Sequence, residues 1–252
     1  MPALVYEKKG NIGYITINRP EVLNAMNAEV NQGIEESFIQ ARDDNEVRAI
    51  ILTGAGDRAF TVGADIGRSS AQTPSRPPFA PFEALPAVPK PIIAAINGYC
   101  LGAGFFLASA CDVRVAVEKA SFGIPEVALG MVPAQGITQW LPQLMPGSIA
   151  LKLLLTGERF SAADAYRFGY LWEIVSPDKL MSAAEKIAEA ITNNAPLAVK
   201  GTKLAFWTGL RHGMDEGLKV QNETAKAAHL SEDAAEARKA FVEKRKPVFK
   251  GK

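Results

Sequence analysis

Residues 91–112, PIIAAINGYCLGAGFFLASACD, run from an apolar strand through a glycine-rich turn into a small-residue helix. PIIAAIN (91–97) is a continuous apolar run of strand length, of the kind buried on both faces in a parallel sheet. GYCLGAGFFLASACD (98–112) then sets glycines around a small residue and follows them with two phenylalanines and a helix that ends at Asp112. Strand, glycine turn and helix N-terminus in that order place unpaired backbone N–H groups where they can meet negative charge. The stretch predicts an α/β fold with an anionic group held at this turn.

Working outward, LVYEKKG and IGYITIN flank Gly10 and Asn11 as a β-hairpin. From Asn27, NAEVNQGIEESFIQARDD spaces Val30, Ile34, Phe38 and Ala41 on a helical period, with Asn27 as its N-cap. RAIILTG and DVRVAVE read as further strands, and residues 54–81, rich in Gly, Ser and Pro, read as one long loop of the sort that carries function. From about residue 136 the pattern turns almost wholly helical, with Ser161 and Ser231 as N-caps and Gly157 and Gly169 as C-terminal stops. The 252 residues thus divide into an α/β core, 1–194, and a C-terminal helical region, 195–252.

Lys plus Arg number 28 against 27 acids, a net charge of +1, which gives no support to a nucleic-acid or acidic-membrane partner. The two cysteines, Cys100 and Cys111, show neither a CxxC spacing nor a supporting His, and read as reduced core thiols. No apolar run is long enough to span a bilayer, and MPALVYEKKGNIGYITINRP has no cleavage-type segment, so a cytoplasmic protein is expected. His212 and His229 fall in the C-terminal helices, and no His/Cys/Asp cluster has ligand spacing, so no metal is expected.

Two anions compete for the glycine turn. NGYCLGAG has the G-x-x-x-G-x-G spacing of a dinucleotide site, but it lies near residue 100 and not in a first βαβ unit, and no tyrosine here has a lysine four positions on. The alternative is a developing oxyanion, met by backbone N–H groups from two separate segments. AFTVGADIG (59–67), which also follows a strand, is the candidate partner segment.

The motifs NRPEVLNAMN (18–27), LTGAGDRAFTVGADI (52–66), KPIIAAINGYCLGAGFFLASACDVRVA (90–116), ASFGIPEVALGMVPAQGITQWLP (120–142), LLLTGERFSAADAYRFGYLWEIV (153–175) and AFVEKRKPVFKG (240–251) together resemble the crotonase superfamily, the enoyl-CoA hydratase/isomerase family, through nearly the whole chain and in its order. The resemblance implies an α/β fold with a ββα spiral core of the ClpP/crotonase type and a C-terminal helical region used for trimerisation, as a homotrimer or a dimer of trimers. It also implies an acyl-CoA thioester substrate, coenzyme A entering as part of that substrate and not as a separate cofactor. The thioester oxygen would be held by the N–H groups of Ala64, after Gly63, and of Ala103, between Gly102 and Gly104, the latter helped by the helix dipole.

Hydratases of this family typically carry two glutamates. One falls on Glu126, in the Pro-Glu pair after a strand, and is expected to act as general acid/base. The other falls on Phe106, one helical turn after Ala103, and phenylalanine transfers no proton. A single carboxylate suits double-bond isomerisation, although one-glutamate hydratases and lyases also belong to the family. Phe105 reads as core packing and Phe106 as facing the acyl pocket. The turn that is PGAGG-like in many hydratases is PAQGI here, so Ala134 and Ile137 are expected to reshape an apolar pocket together with Phe106.

For the CoA moiety the resemblance implies backbone contacts around Val22, Leu23, Ala25, Asp65 and Ile66, with Asp65 ordering the loop that presents Ala64. Glu21 and Gly67 stand where family members often carry lysines, so Arg68 is expected to substitute, and Lys244 matches a lysine that reaches a neighbouring subunit's CoA. A second acid from the 67–85 loop, for instance Glu83, is a candidate helper. Other acyl-CoA reactions using the same oxyanion hole (decarboxylation, lyase or thioester hydrolysis) and a non-catalytic RNA-binding or assembly role remain as alternatives, the main basic cluster, KRKPVFKGK, being terminal.

Overall fold

The computed structural model describes residues 2–65 and 84–252. β1 (Leu4–Lys9) and β2 (Ile12–Ile17) form the expected antiparallel hairpin. From β2 the chain enters α1 (Ala28–Asp43), whose N-cap Asn27 accepts a 2.9 Å hydrogen bond from Val30 N, and returns as β3 (Ala49–Gly54), parallel to β2. The same sheet continues through β5 (Ile92–Ile96), β7 (Val113–Val117) and β10 (Glu173–Val175), all parallel, in the order β1-β2-β3-β5-β7-β10. Ile50, Ile51, Leu52, Ile92 and Ile93 are fully buried, as runs covered on both faces must be.

A second sheet was not legible in the sequence. It consists of β4 (Ala59–Thr61), β6 (Tyr99–Leu101), β8 (Ser121–Gly123) and β9 (Arg159–Ser161), in that order, the first three parallel and β9 antiparallel. Three times, then, the chain lays a long strand in one sheet and a short one in the other: β3 then β4, β5 then β6, β7 then β8. These are the ββα turns of a spiral. Residues 99–101 are therefore not part of the glycine turn but a strand of their own. The crossing between sheets is made at Asn97, whose Nδ2 donates to the carbonyls of Gly54 and Gly56 at 2.8 Å each, and at Gly98, where a Cβ would lie 2.1 Å from the Arg58 carbonyl oxygen. Likewise β4 interrupts the predicted 54–81 loop, and β9 and β10 interrupt the predicted helical stretch.

Helices α2 (Ala103–Ser109), α3 (Ile137–Leu144), α4 (Gly147–Thr156), α5 (Ala162–Arg167) and α6 (Leu180–Thr192) cover the sheets, α6 lying on β3, β5 and β7. Phe105 of α2 is the centre of an aromatic cluster, stacked on Tyr170 at 5.0 Å and edge-on to Phe122 and Phe160. It is a core residue, as expected. Ser161 caps α5 in a reciprocal capping box with Asp164, and Gly157 ends α4 with φ of +64°.

The C-terminal helices α7 (Pro196–His212) and α8 (Met214–His229) form an antiparallel hairpin, followed by α9 (Glu232–Val242), capped by Ser231. Two buried contacts fasten α7 to the core. Lys203 Nζ pairs with Asp112 Oδ2 at 2.7 Å, while Trp207 Nε1 donates to Asp112 Oδ1 at 2.7 Å and its ring stacks on Trp140 of α3 at 5.1 Å and 13°. Among the described residues no helix is long and apolar enough to cross a membrane.

Candidate active site

Because β4, β6 and β8 run side by side and parallel, their C-terminal ends open along one edge. Each end delivers one element of the expected site: β4 leads to Gly63–Ala64, β6 to Gly102–Ala103, and β8 to the short 3-10 turn Pro125–Leu129 that carries Glu126. Gly102 N donates to Gly123 O at 2.9 Å, extending the β6–β8 ladder into the site.

The first two elements touch. Gly63, with φ of +87°, lies so close to the second segment that a Cβ there would be 2.8 Å from Leu101 O and 3.0 Å from Ala103 N. Thr61 Oγ1 accepts from Gly63 N at 3.1 Å and shapes this turn. On its other side the segment bridges to Met26: Met26 N donates to Gly63 O at 2.8 Å and Asp65 N to Met26 O at 3.1 Å. Since neighbouring N–H groups of an extended chain point in opposite directions, the Ala64 N–H is turned away from Met26, and Ala64 is exposed. Ala103 N is the first amide of α2 and has no intrahelical acceptor. Among the described residues neither N–H meets a backbone acceptor.

Glu126 completes the group. Its Oε1 lies 3.1 Å from where a Cβ on Gly102 would be, and Gly102 itself adopts φ 52°, ψ −127°, a conformation essentially open to glycine alone. The site therefore needs glycine at 102 twice over, for backbone geometry and for room beside the carboxylate. Glu126 is half-buried, and its Oε2 is buried with no hydrogen-bond partner among the described residues. Burial pushes its carboxyl above the usual range, against a smaller opposite pull from its own backbone N–H. Such a carboxyl is poised to exchange a proton with a carbon acid or a water molecule held against it.

Phe106 is buried, 3% exposed, and its N donates to Gly102 O at 3.1 Å, so it lies one turn along the helical face shared with Gly102 and Ala103. Its side chain is buried in the core cluster one turn beyond the glycine turn, and among the described residues Glu126 is the carboxylate beside that turn. Ala134 is exposed on the turn before α3, where Gln135 adopts φ of +58°, and Ile137 is fully enclosed in the core.

Of the residues expected around CoA, Val22 and Leu23 are half-exposed on a 3-10 turn, Ala25 is buried, and Asp65 follows Ala64 directly. Ile66, Arg68 and Glu83 lie outside the described residues. Lys244 is exposed just beyond α9.

Two residues escaped the sequence reading. Arg19 is 8% exposed and its Nη1 donates to Ala25 O at 2.5 Å and to Asp65 Oδ2 at 3.0 Å. Asn24 is wholly buried with φ of +57°; its side chain accepts from Arg19 N and donates to the carbonyls of Ala55 and Ala59. The available signal was the NRP…N spacing at 18–24, which sets a cation and a turn-forming asparagine five residues apart before α1.

The chain matches the family model for enoyl-CoA hydratase/isomerase over residues 7–252. It is 39% identical over 249 residues to a short-chain-enoyl-CoA hydratase of Clostridium acetobutylicum, spanning 96% of this chain and 95% of that one. It is also 37% identical over 250 residues to an (E)-benzylidenesuccinyl-CoA hydratase of Thauera aromatica, spanning 97% and 98%. The crystal structure of an enoyl-CoA hydratase from Bacillus anthracis superposes with a TM-score of 0.93 at 32% identity, over 99% of this chain and all of that one. Fold and sequence agree: the chain belongs to the enoyl-CoA hydratase/isomerase family of the crotonase superfamily and is an enzyme of that family.

Proposed function

We propose that the chain carries out enolate chemistry on an enoyl-CoA thioester with Glu126 as its one general acid/base and the N–H groups of Ala64 and Ala103 holding the thioester oxygen. The observation that carries this is the convergence of Gly63, Ala103 and Glu126 at the ends of three adjacent strands, with Phe106 in place of a second carboxylate. Each donor to the oxyanion contributes about 3–4 kcal/mol of transition-state stabilisation, and the positioned carboxylate about 10²–10⁴ in rate. On a 3-enoyl thioester, Glu126 takes a proton from C2, the electron pair moves into a dienolate held by the two N–H groups, and the carboxylic acid returns the proton to C4, giving the conjugated 2-enoyl thioester.

A second reading is favoured by relatives named as hydratases: Glu126 removes a proton from water as the oxygen bonds to C3, then delivers it to C2. The thioester's CoA would lie along the backbone of Val22, Leu23, Ala25 and Asp65, and no separate cofactor enters either route. The apolar side chains left exposed on the C-terminal helices, among them Met214 at 78% and Phe241 at 85%, fit self-association of that region as a trimer or pair of trimers.

The test is incubation of the purified protein with a 3-enoyl-CoA and, in parallel, with a conjugated 2-enoyl-CoA in D2O, each followed by mass and NMR beside a Glu126→Gln control. Conjugated 2-enoyl-CoA without added water, lost in the control, supports isomerisation. A 3-hydroxyacyl-CoA supports hydration by one carboxylate. No change, and no deuterium at C2, refutes both.

A further inference from the structure

Among the described residues, one cation holds the peptide that presents Ala64 from one side. Arg19 lies at the start of the turn that leads to Ala25 and Met26, and Asp65 follows Ala64 directly, so the two charged side chains meet across 46 residues of sequence. Both are largely withdrawn from water, with side-chain exposures of 10% and 13%. One guanidinium nitrogen, Nη1, serves two acceptors at once: the Ala25 carbonyl at 2.5 Å and the Asp65 carboxylate at 3.0 Å.

Between these two fastenings, residues 23–26 run beside residues 62–65. Val62 N donates to Leu23 O at 3.2 Å, Met26 N to Gly63 O at 2.8 Å, and Asp65 N to Met26 O at 3.1 Å. This ladder is short and includes a single isolated bridge, Met26 with Ala64. A ladder of that length has little rigidity of its own, and the direction of the Ala64 N–H depends on it. Asn24 secures the other strand of the pair, accepting from Arg19 N at 2.9 Å and bonding to Ala55 O and Ala59 O on either side of the loop before β4.

We infer that Arg19 is a positioning residue for catalysis: by clasping Ala25 and Asp65 together it holds the Ala64 N–H in the direction needed to receive a developing enolate oxygen. The inference rests on the reading of Ala64 as an oxyanion donor. A group that aligns such a donor acts in the transition state more than in the bound substrate, so its loss lowers kcat and kcat/KM together and leaves KM nearly unchanged. The two N–H bonds of Nη1 are fixed in the guanidinium plane, whereas a lysine ammonium is a rotating group on a different stem, so lysine restores charge without restoring the whole geometry.

The experiment compares wild type with Arg19→Gln, Arg19→Lys, Asp65→Asn and the Arg19→Gln/Asp65→Asn double variant, in steady-state kinetics and in amide hydrogen exchange. Arg19→Gln is expected to lower kcat about tenfold or more with KM changed less than about threefold. Arg19→Lys is expected to fall between it and wild type, and the double variant to be no worse than the poorer single one. Exchange is expected to quicken at Met26 and Asp65 but not at Ile50–Leu52 in β3. A lowered melting temperature with kcat intact would reduce the pair to a structural tie and overturn the inference. A raised KM with kcat intact would assign Arg19 to substrate binding and overturn it as well. Exchange needs no turnover: if wild type proves inert toward enoyl thioesters, the functional reading fails on that result, while unchanged protection at Met26 and Asp65 in Arg19→Gln overturns the clasp on its own.

Discussion

Replacing Gly63 with alanine would place a methyl carbon 2.8 Å from the Leu101 carbonyl oxygen and 3.0 Å from Ala103 N, where ordinary contacts begin at 3.4 Å. Both obstacles are backbone atoms, so neither can swing aside like the end of a side chain. The strands must part, and the proposed oxyanion donors, the N–H groups of Ala64 and Ala103, part with them. Losing the alignment of one such donor costs about 10²–10³ in kcat. Alanine at φ of +87° adds roughly 1–3 kcal/mol of backbone strain. The two effects are separable, because Gly10 also has a positive φ, +58°, in the β1–β2 hairpin and nothing within 4 Å of its would-be Cβ. Gly10→Ala should lower the melting temperature through strain alone and leave kcat at the wild-type value. Gly63→Ala should lower both, with kcat down at least about a hundredfold and KM little changed. The assay is steady-state turnover of an enoyl-CoA beside thermal melting of the two variants. If Gly63→Ala matched Gly10→Ala in both readouts, the close approach of β4 and β6 would have no part in aligning the donors.

Three further outcomes follow from the charged groups. Glu126 must be ionised to take a proton, and burial raises its pKa, so the acid limb of kcat/KM should lie above the ordinary glutamate range and vanish from the residual activity of Glu126→Gln. The same shift means that the fold disfavours the ionised form. Stability is therefore lost as pH rises from the unfolded to the folded pKa, and Glu126→Gln should melt higher than wild type at neutral pH but not below both pKa values. Lys203, 7% exposed, neutralises Asp112 at the end of α2, so Lys203→Met should destabilise by about 3–5 kcal/mol in urea titration, with a smaller loss in the Lys203→Met/Asp112→Asn pair; equal losses in both would deny the coupling.

What could be read from the sequence is what depends on neighbouring residues. The β1–β2 hairpin, the Asn27 cap and the long apolar strands β3 and β5 each declare themselves within a window of a few residues. So do the glycines around Ala103 and the Pro-Glu pair at Glu126, whereas Phe106 as the place of a missing acid is what the family resemblance implies. The second sheet did not, because strands of three residues are too short to show an alternation, and their pairing is decided by neighbours about 20 to 40 positions away. Arg19 with Asp65 and Lys203 with Asp112 were hidden for the same reason: an arginine after an asparagine, or a lysine on a helix, looks like surface until the fold removes water from around it. The family resemblance supplied roles for positions at the strand ends, whereas the groups that hold those positions in place emerge only from three-dimensional contacts.

Two of the three tryptophans, Trp140 and Trp207, stack nearly parallel across the seam between the α/β core and the C-terminal helices, while Trp172 is 69% exposed. Indoles in such contact couple their electronic transitions, and the coupling decays steeply as the rings part. The protein therefore carries an intrinsic optical gauge at that seam: an exciton couplet in circular dichroism that persists only while α7 rests on α3, read without a label and independently of whether the active site is empty, occupied or disabled.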